Sequence, residues 1–130
     1  MRYVLDTNIL IHLRDGEPEV SRRIAALDGA VMISIISQVE LEGGVYRDPS
    51  QGHIRRPRLD AILASLPVLA FDEESALAYR QILAASGYSR RKLLDRMMAA
   101  QVLVHQATLV TLNTDDFLDI PGLTLLDWSS

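Results

Sequence analysis

Residues 30–36 read Ala-Val-Met-Ile-Ser-Ile-Ile. A run this apolar and β-branched lacks the alternation of a half-solvated strand and suits one covered on both faces, as in a parallel sheet. Parallel strands need crossover connections, so the rest of the chain must supply helices between strands and enough apolar stripes to cover two faces. Tyr3-Val4-Leu5 is a second such run, stopped by Asp6-Thr7-Asn8, after which Ile9, Leu10 and Leu13 fall at helical spacing. Gly16-Glu17-Pro18 ends that helix, and Val20, Ile24 and Leu27 predict another from about Pro18 to Leu27. Ser37 is the expected cap of a helix carrying Val39, Glu40 and Leu41, with Gly43-Gly44 near its end, and 48–52 reads as an exposed loop.

Leu59, Ile62, Leu63 and Leu66 form the next helical stripe, and 67–71 predicts a third strand. Asp72-Glu73-Glu74 puts three acids at the start of a helix running through Leu77, Tyr79 and Leu83 to Gly87, where negative charge favours the helix dipole. Leu94, Met97, Met98 and Val102 make the last stripe, between Leu93 and His105, with strands expected at 108–112 and 123–126. Five strands alternating with helices predict a three-layer α/β/α sandwich around a mostly parallel five-stranded sheet. With 130 residues, no repeats and no linker, residues 1–130 are expected to form one domain.

The absence of cysteine excludes a disulfide framework, a thiolate metal site and a Cys nucleophile. The N-terminus shows no signal-peptide pattern and no apolar run approaches ~18 residues, so the chain is expected to be cytoplasmic, neither exported nor membrane-spanning. Thirteen basic against seventeen acidic residues, a net charge of −4, argue against coating nucleic acid by bulk positive charge. There is no GxSxG, GxGxxG or P-loop, and His12, His53 and His105 stand at unrelated spacings. The densest basic runs are Arg55-Arg56-Pro57-Arg58 and Arg90-Arg91-Lys92; each reads as a solvated face or as a local polyanion contact.

In an open α/β sheet, ligands sit outside the carboxyl ends of the strands. Asp6 follows strand one, Glu40 lies early in the helix after strand two, Asp95 interrupts an apolar stripe, and Asp115-Asp116 follow strand four. Asp6 could serve as a helix cap alone; Asp95, beside core types Leu94, Met98 and Ala99, would need a partner or a cation. Asp72, Glu73 and Glu74 are left to helix-start stabilisation. Four acids from four segments, without Cys or paired His, match the all-oxygen site preferred by Mg²⁺ or Mn²⁺, and phosphodiester hydrolysis is the chemistry such a site supports.

The same residues carry a resemblance. Tyr-Val-Leu-Asp-Thr-Asn-Ile-Leu at 3–10, Ile-Ser at 33–34 leading to Glu-Leu-Glu-Gly-Gly at 40–44, Asp-Arg-Met-Met-Ala-Ala-Gln at 95–101, Leu-Val-Thr-Leu-Asn-Thr-Asp-Asp-Phe at 109–117 and Ile-Pro-Gly-Leu at 120–123 occur in order over nearly the whole chain. Together they resemble the PIN domain, and within it the VapC toxins of bacterial toxin–antitoxin pairs. The resemblance implies a Mg²⁺- or Mn²⁺-dependent ribonuclease whose metal-binding, catalytic acids are Asp6, Glu40, Asp95 and Asp116, with Thr7, Asn8, Thr111 and Asn113 at supporting polar positions. Met98 stands where the family usually has Ile, a volume-conserving difference, and Asp115 beside Asp116 leaves the fourth acid open to a one-residue shift. The resemblance further implies an RNA substrate, a homodimer with active sites facing a shared groove, and a small VapB-like antitoxin that wraps the toxin. Arg90, Arg91 and Lys92, just before Asp95, are candidate contacts for the RNA backbone. The competing readings are a structure-specific DNA nuclease, against which the short chain weighs, and a catalytically silent binding module, which has no need to keep four mutually repelling carboxylates together.

Overall fold

The computed structural model describes all 130 residues. In chain order it comprises β1 (Arg2–Leu5), α1 (Thr7–Arg14), α2 (Pro18–Ala25), β2 (Ala30–Ser34), α3 (Ile35–Arg47), α4 (Gly52–Ser65), β3 (Val68–Leu69), α5 (Glu73–Ser86), α6 (Leu93–Val104), β4 (Thr108–Thr111), a 3₁₀ turn at Thr114–Phe117 and β5 (Thr124–Asp127). All five strands are parallel, in the order β3-β2-β1-β4-β5. The chain steps from β1 outward to β2 and β3, then returns to the far side of β1 for β4 and β5. Strand order therefore reverses between β1 and β4, and their carboxyl ends flank the crevice that such a switch point opens.

Alternation along the strands divides the core. Tyr3, Leu5, Ile33 and Val110 face a layer built from α1, α3 and α4 through Leu10, Leu41, Val45, Leu59 and Ile62, with α2 packed at its margin through Val20 and Ile24. Val4, Met32 and Leu109 face the opposite layer, built from α5 and α6 through Ile82, Met98, Ala99 and Val102. Phe117, 1% exposed, plugs the end of that second layer and anchors the turn after β4. This is the expected three-layer sandwich, and its parallel sheet is buried on both faces. No helix is long and apolar enough to cross a membrane.

The boundaries depart from the sequence reading where a polar contact outweighs an apolar pattern. The run expected as one strand through Ile36 splits at Ser34: its hydroxyl accepts from the Ile36 backbone N–H at 3.0 Å and starts α3. Ser34, not Ser37, is thus the cap. Ser34 also donates to Gln101 Oε1, while Gln101 Nε2 donates to the Leu69 carbonyl at 3.0 Å, so one buried network joins β2, α6 and β3. The third strand shrinks from five residues to Val68–Leu69, which pair with Ile33 and Ser34, the last two residues of β2 before the chain turns into α3. The fourth stops at Thr111, the fifth runs Thr124–Asp127, and the second helix ends at Ala25. Helix α4 begins at Gly52, inside the expected loop, and carries the Arg55–Arg58 cluster together with Pro57. Asp72 caps α5, its carboxylate accepting from the Ser75 N–H at 2.9 Å, as three acids at a helix start suggested.

Candidate active site

Asp6 is the first residue beyond β1 and is 6% exposed. Its backbone N–H donates to the Val110 carbonyl at 2.8 Å, continuing the ladder and fixing where the side chain emerges. One carboxylate oxygen accepts from the Thr7 N–H at 2.7 Å, capping α1, and the other from the Thr111 hydroxyl at 2.7 Å. The cap reading and the site reading of Asp6 are therefore both true of one side chain. Burial pushes its pKa up; the bonds from Thr111 and Thr7 pull the other way, and the charges of Glu40 and Asp116 raise it further.

Thr7 reaches the next acid. Its hydroxyl donates to Glu40 Oε1 at 2.7 Å and lies 2.8 Å from Ser37 Oγ. A hydroxyl carries one proton and a carboxylate only accepts, so Ser37 must donate to Thr7. The sequence reading did not place Ser37 here. Once Ser34 takes the cap, Ser37 lies one turn before Glu40 on the same face of α3; that i, i+3 spacing was the available signal.

Asp95 sits in the first turn of α6, and its carboxyl is pushed up to about 6, first by burial and then by the charges of Asp6, Asp116 and Glu40. Only Lys92 opposes them, and its ammonium is shared with Asp119 at 3.3 Å. Four acids thus meet near the carboxyl ends of β1 and β4, their charges acting on Asp6 and Asp95. Asp116 belongs to this group and Asp115 does not. Asn113 Nδ2 donates to Asp116 Oδ2 at 2.8 Å, the Asn113 N–H donates to the Thr111 hydroxyl at 3.0 Å, and Asp115 projects into solvent without a partner. Asn8 accepts a long bond, 3.5 Å, from the Leu112 N–H, tying the start of α1 to the end of β4.

No three of these side chains stand close enough to hold an ion by direct ligation alone. The donor set is all oxygen, the acids repel one another, and a divalent cation is the partner that relieves it.

In the basic run before α6, Lys92 is tied to Asp119, as is the buried Arg96, whose Nη2 donates to Asp119 at 2.9 Å and whose Nη1 donates to the Gly87 carbonyl. Arg90 and Arg91 are exposed and form no ion pair. In the other run, Arg56 is held by Glu42 and Asp60.

This placement of acids at a switch point coincides with a family match: residues 3–123 fit the model described as the PIN domain. The chain belongs to the PIN-domain family. Within that family it is similar to VapC proteins. Ribonuclease VapC1 of Rickettsia felis is 31% identical over the whole of this chain and 98% of its own. The tRNA(fMet)-specific endonuclease VapC of Shigella flexneri is 29% identical over 99% of both. The crystal structure of VapBC2 from Rickettsia felis bound to a DNA fragment from their promoter superposes with a TM-score of 0.84 at 28% identity, covering 98% of this chain and 99% of that one.

The acid cluster makes this PIN domain pH-sensitive in a direction opposite to that of most acid-paired proteins. A carboxyl whose folded pKa is raised binds more protons folded than unfolded between about pH 4 and 6, so without metal its contribution to stability falls as pH rises through that window. Asp95→Asn should therefore raise the Tm of the metal-free protein at pH 7.5 and have little effect at pH 4. Partial solvent access keeps the gain modest, on the order of 3–6 °C. Calorimetry of both proteins in EDTA at the two pH values measures it; an Asp95→Asn protein less stable at pH 7.5 than wild type would contradict it.

Proposed function

We propose that this protein is a Mg²⁺- or Mn²⁺-dependent endoribonuclease, the toxin of a type II toxin–antitoxin pair, acting in the cytoplasm as a homodimer and held in check by a small VapB-like antitoxin. The observation that carries the chemistry is the convergence of Asp6, Glu40, Asp95 and Asp116: the charges of Glu40 and Asp116 raise the pKa of Asp6, and those of Asp6, Asp116 and Glu40 raise that of Asp95. The ribonuclease and endonuclease names of the VapC relatives support RNA as substrate, and the VapBC structures support the partner.

Asp6, Glu40, Asp95 and Asp116 would hold the ion. When bound, it supplies charge that screens the acids from an incoming phosphate, lowers the pKa of a water and stabilises the leaving oxygen. The chain's own part is to hold these groups still. Thr111 and the Thr7 N–H keep both Asp6 oxygens oriented, Thr7 and Ser37 orient Glu40, and Asn113 steadies Asp116. Each bond fixes a carboxylate rotamer before substrate arrives, which is what preorganisation requires.

Purified protein incubated with total RNA in Mg²⁺, in Mn²⁺ and in EDTA tests the reading by mapping of cleavage ends. Discrete internal ends should appear with either metal and vanish in EDTA. Intact RNA under all three conditions would leave a silent binding module.

A further inference from the structure

Adjoining the carboxylate centre, and sharing Thr7 and Glu40 with it, is a pocket of about 380 Å³ walled by Arg14, Asp15, Arg47 and Arg55. Arg14, the last residue of α1, has a side chain only 5% exposed. Its Nε donates to Asp15 at 3.2 Å, and the protein supplies no acceptor for either Nη nitrogen. A guanidinium is rarely buried unless paired. Room for it is made by Gly44: a Cβ there would meet Arg14 Nη1 at 3.0 Å. Glycine inside a helix is destabilising relative to alanine, so α3 gives up stability at the position where the guanidinium lies. Arg55 is fixed on the same wall by a 2.8 Å bond from Nη1 to the Gly44 carbonyl, and Arg47 is exposed and unpaired. The other buried guanidinium, that of Arg96, uses both Nη nitrogens, on Asp119 and the Gly87 carbonyl, whereas Arg14 engages only Nε. Three arginines facing a pocket that holds only Asp15 and Glu40 are a local excess of positive charge in a chain of net charge −4.

We propose that this pocket binds the RNA-backbone phosphate next to the scissile one, with the Arg14 fork as its fixed donor and Arg47 and Arg55 closing on it; this rests on the ribonuclease reading above. A planar guanidinium with two free donor groups suits a phosphodiester. Phosphate contacts set register without reading sequence, so the pocket's task is to decide which bond along a bound strand lies over the carboxylates.

The test is the binding of a fluorescein-labelled, mixed-sequence single-stranded RNA to the full chain in EDTA across a salt series. Arg14→Gln and Arg47→Gln should each reduce affinity for all sequences alike and flatten the slope of log K against log salt by up to ~0.7, the value of one phosphate contact on a single strand. Arg22→Gln, an exposed site outside the pocket, should leave the slope unchanged. If Arg14→Gln does not fold, Arg47→Gln carries the test, since its side chain is exposed. A second readout separates register from mere folding: in Mg²⁺, the variants' cleavage ends should scatter around the wild-type positions. Unchanged slopes with unchanged ends, in a wild-type protein that does cut RNA, overturn the pocket and leave the nuclease reading intact. Weakened binding of inorganic phosphate with an RNA slope equal to wild type also overturns it, in favour of a free-anion site. Absence of cutting by wild type counts instead against the nuclease.

Discussion

Asp6→Asn yields a folded protein whose RNA cleavage falls by roughly a thousand-fold, the equivalent of several kcal/mol of transition-state stabilisation. The expectation follows from what the two oxygens of Asp6 do. Each accepts one strong bond, from the Thr7 N–H and the Thr111 hydroxyl, so the carboxylate is rigid, and it stands beside Glu40 and Asp116 where a cation must be held. Asn keeps the shape and one acceptor oxygen but presents an amide where the second acceptor was, and removes the charge that attracts the ion. The fold should tolerate this. The lost bond costs about 1 kcal/mol, and removing a carboxylate whose pKa burial raises offsets part of that cost. Cleavage rate against Mg²⁺ concentration, with circular dichroism as the folding control, measures the effect. Undiminished cleavage by the folded variant would remove Asp6 from the proposed metal site.

The second large effect separates two neighbours. Asp116→Asn should reduce cleavage by on the order of 10–100-fold and raise the Mg²⁺ concentration required, while Asp115→Asn should do neither. Both residues lie in the 3₁₀ turn, but Phe117, buried in the α5–α6 layer, fixes how the turn is rotated. In that orientation Asp116 faces Asn113 and contributes charge at Asp6 and Asp95, and Asp115 faces water. Metal titrations of the two single variants decide it. The reverse result would mean that the turn rotates by one residue when the site is loaded, and the fourth assignment would pass to Asp115.

The layer order and the strand–helix alternation were legible because hydrophobic burial is periodic: an unbroken apolar run means a strand covered twice, and stripes at three- and four-residue spacing mean the helices that cover it. The acids were legible for a related reason. Asp6 and Asp95 interrupt apolar patterns at strand and helix ends, where a carboxylate without a cation is costly.

Other features depended on which polar atoms meet in space. Whether Ser34 or Ser37 caps α3 was decided by Gln101, 67 residues from Ser34, and that choice released Ser37 to Thr7 and Glu40. Lys92 read with Arg90 and Arg91 as a solvated face or an RNA contact, and only the fold set Asp119 against it and Arg96. Arg14 carried no signal in its own segment, and Gly44 read only as lying near a helix end; packing α1 against α3 made them a buried guanidinium and the space that admits it. One sequence thus determined by itself what must be buried and roughly where charge must collect, because transfer from water depends on each side chain's own chemistry. Tertiary structure alone decided which donor faces which acceptor, because a hydrogen bond or an ion pair is a property of two groups whose approach no local pattern encodes.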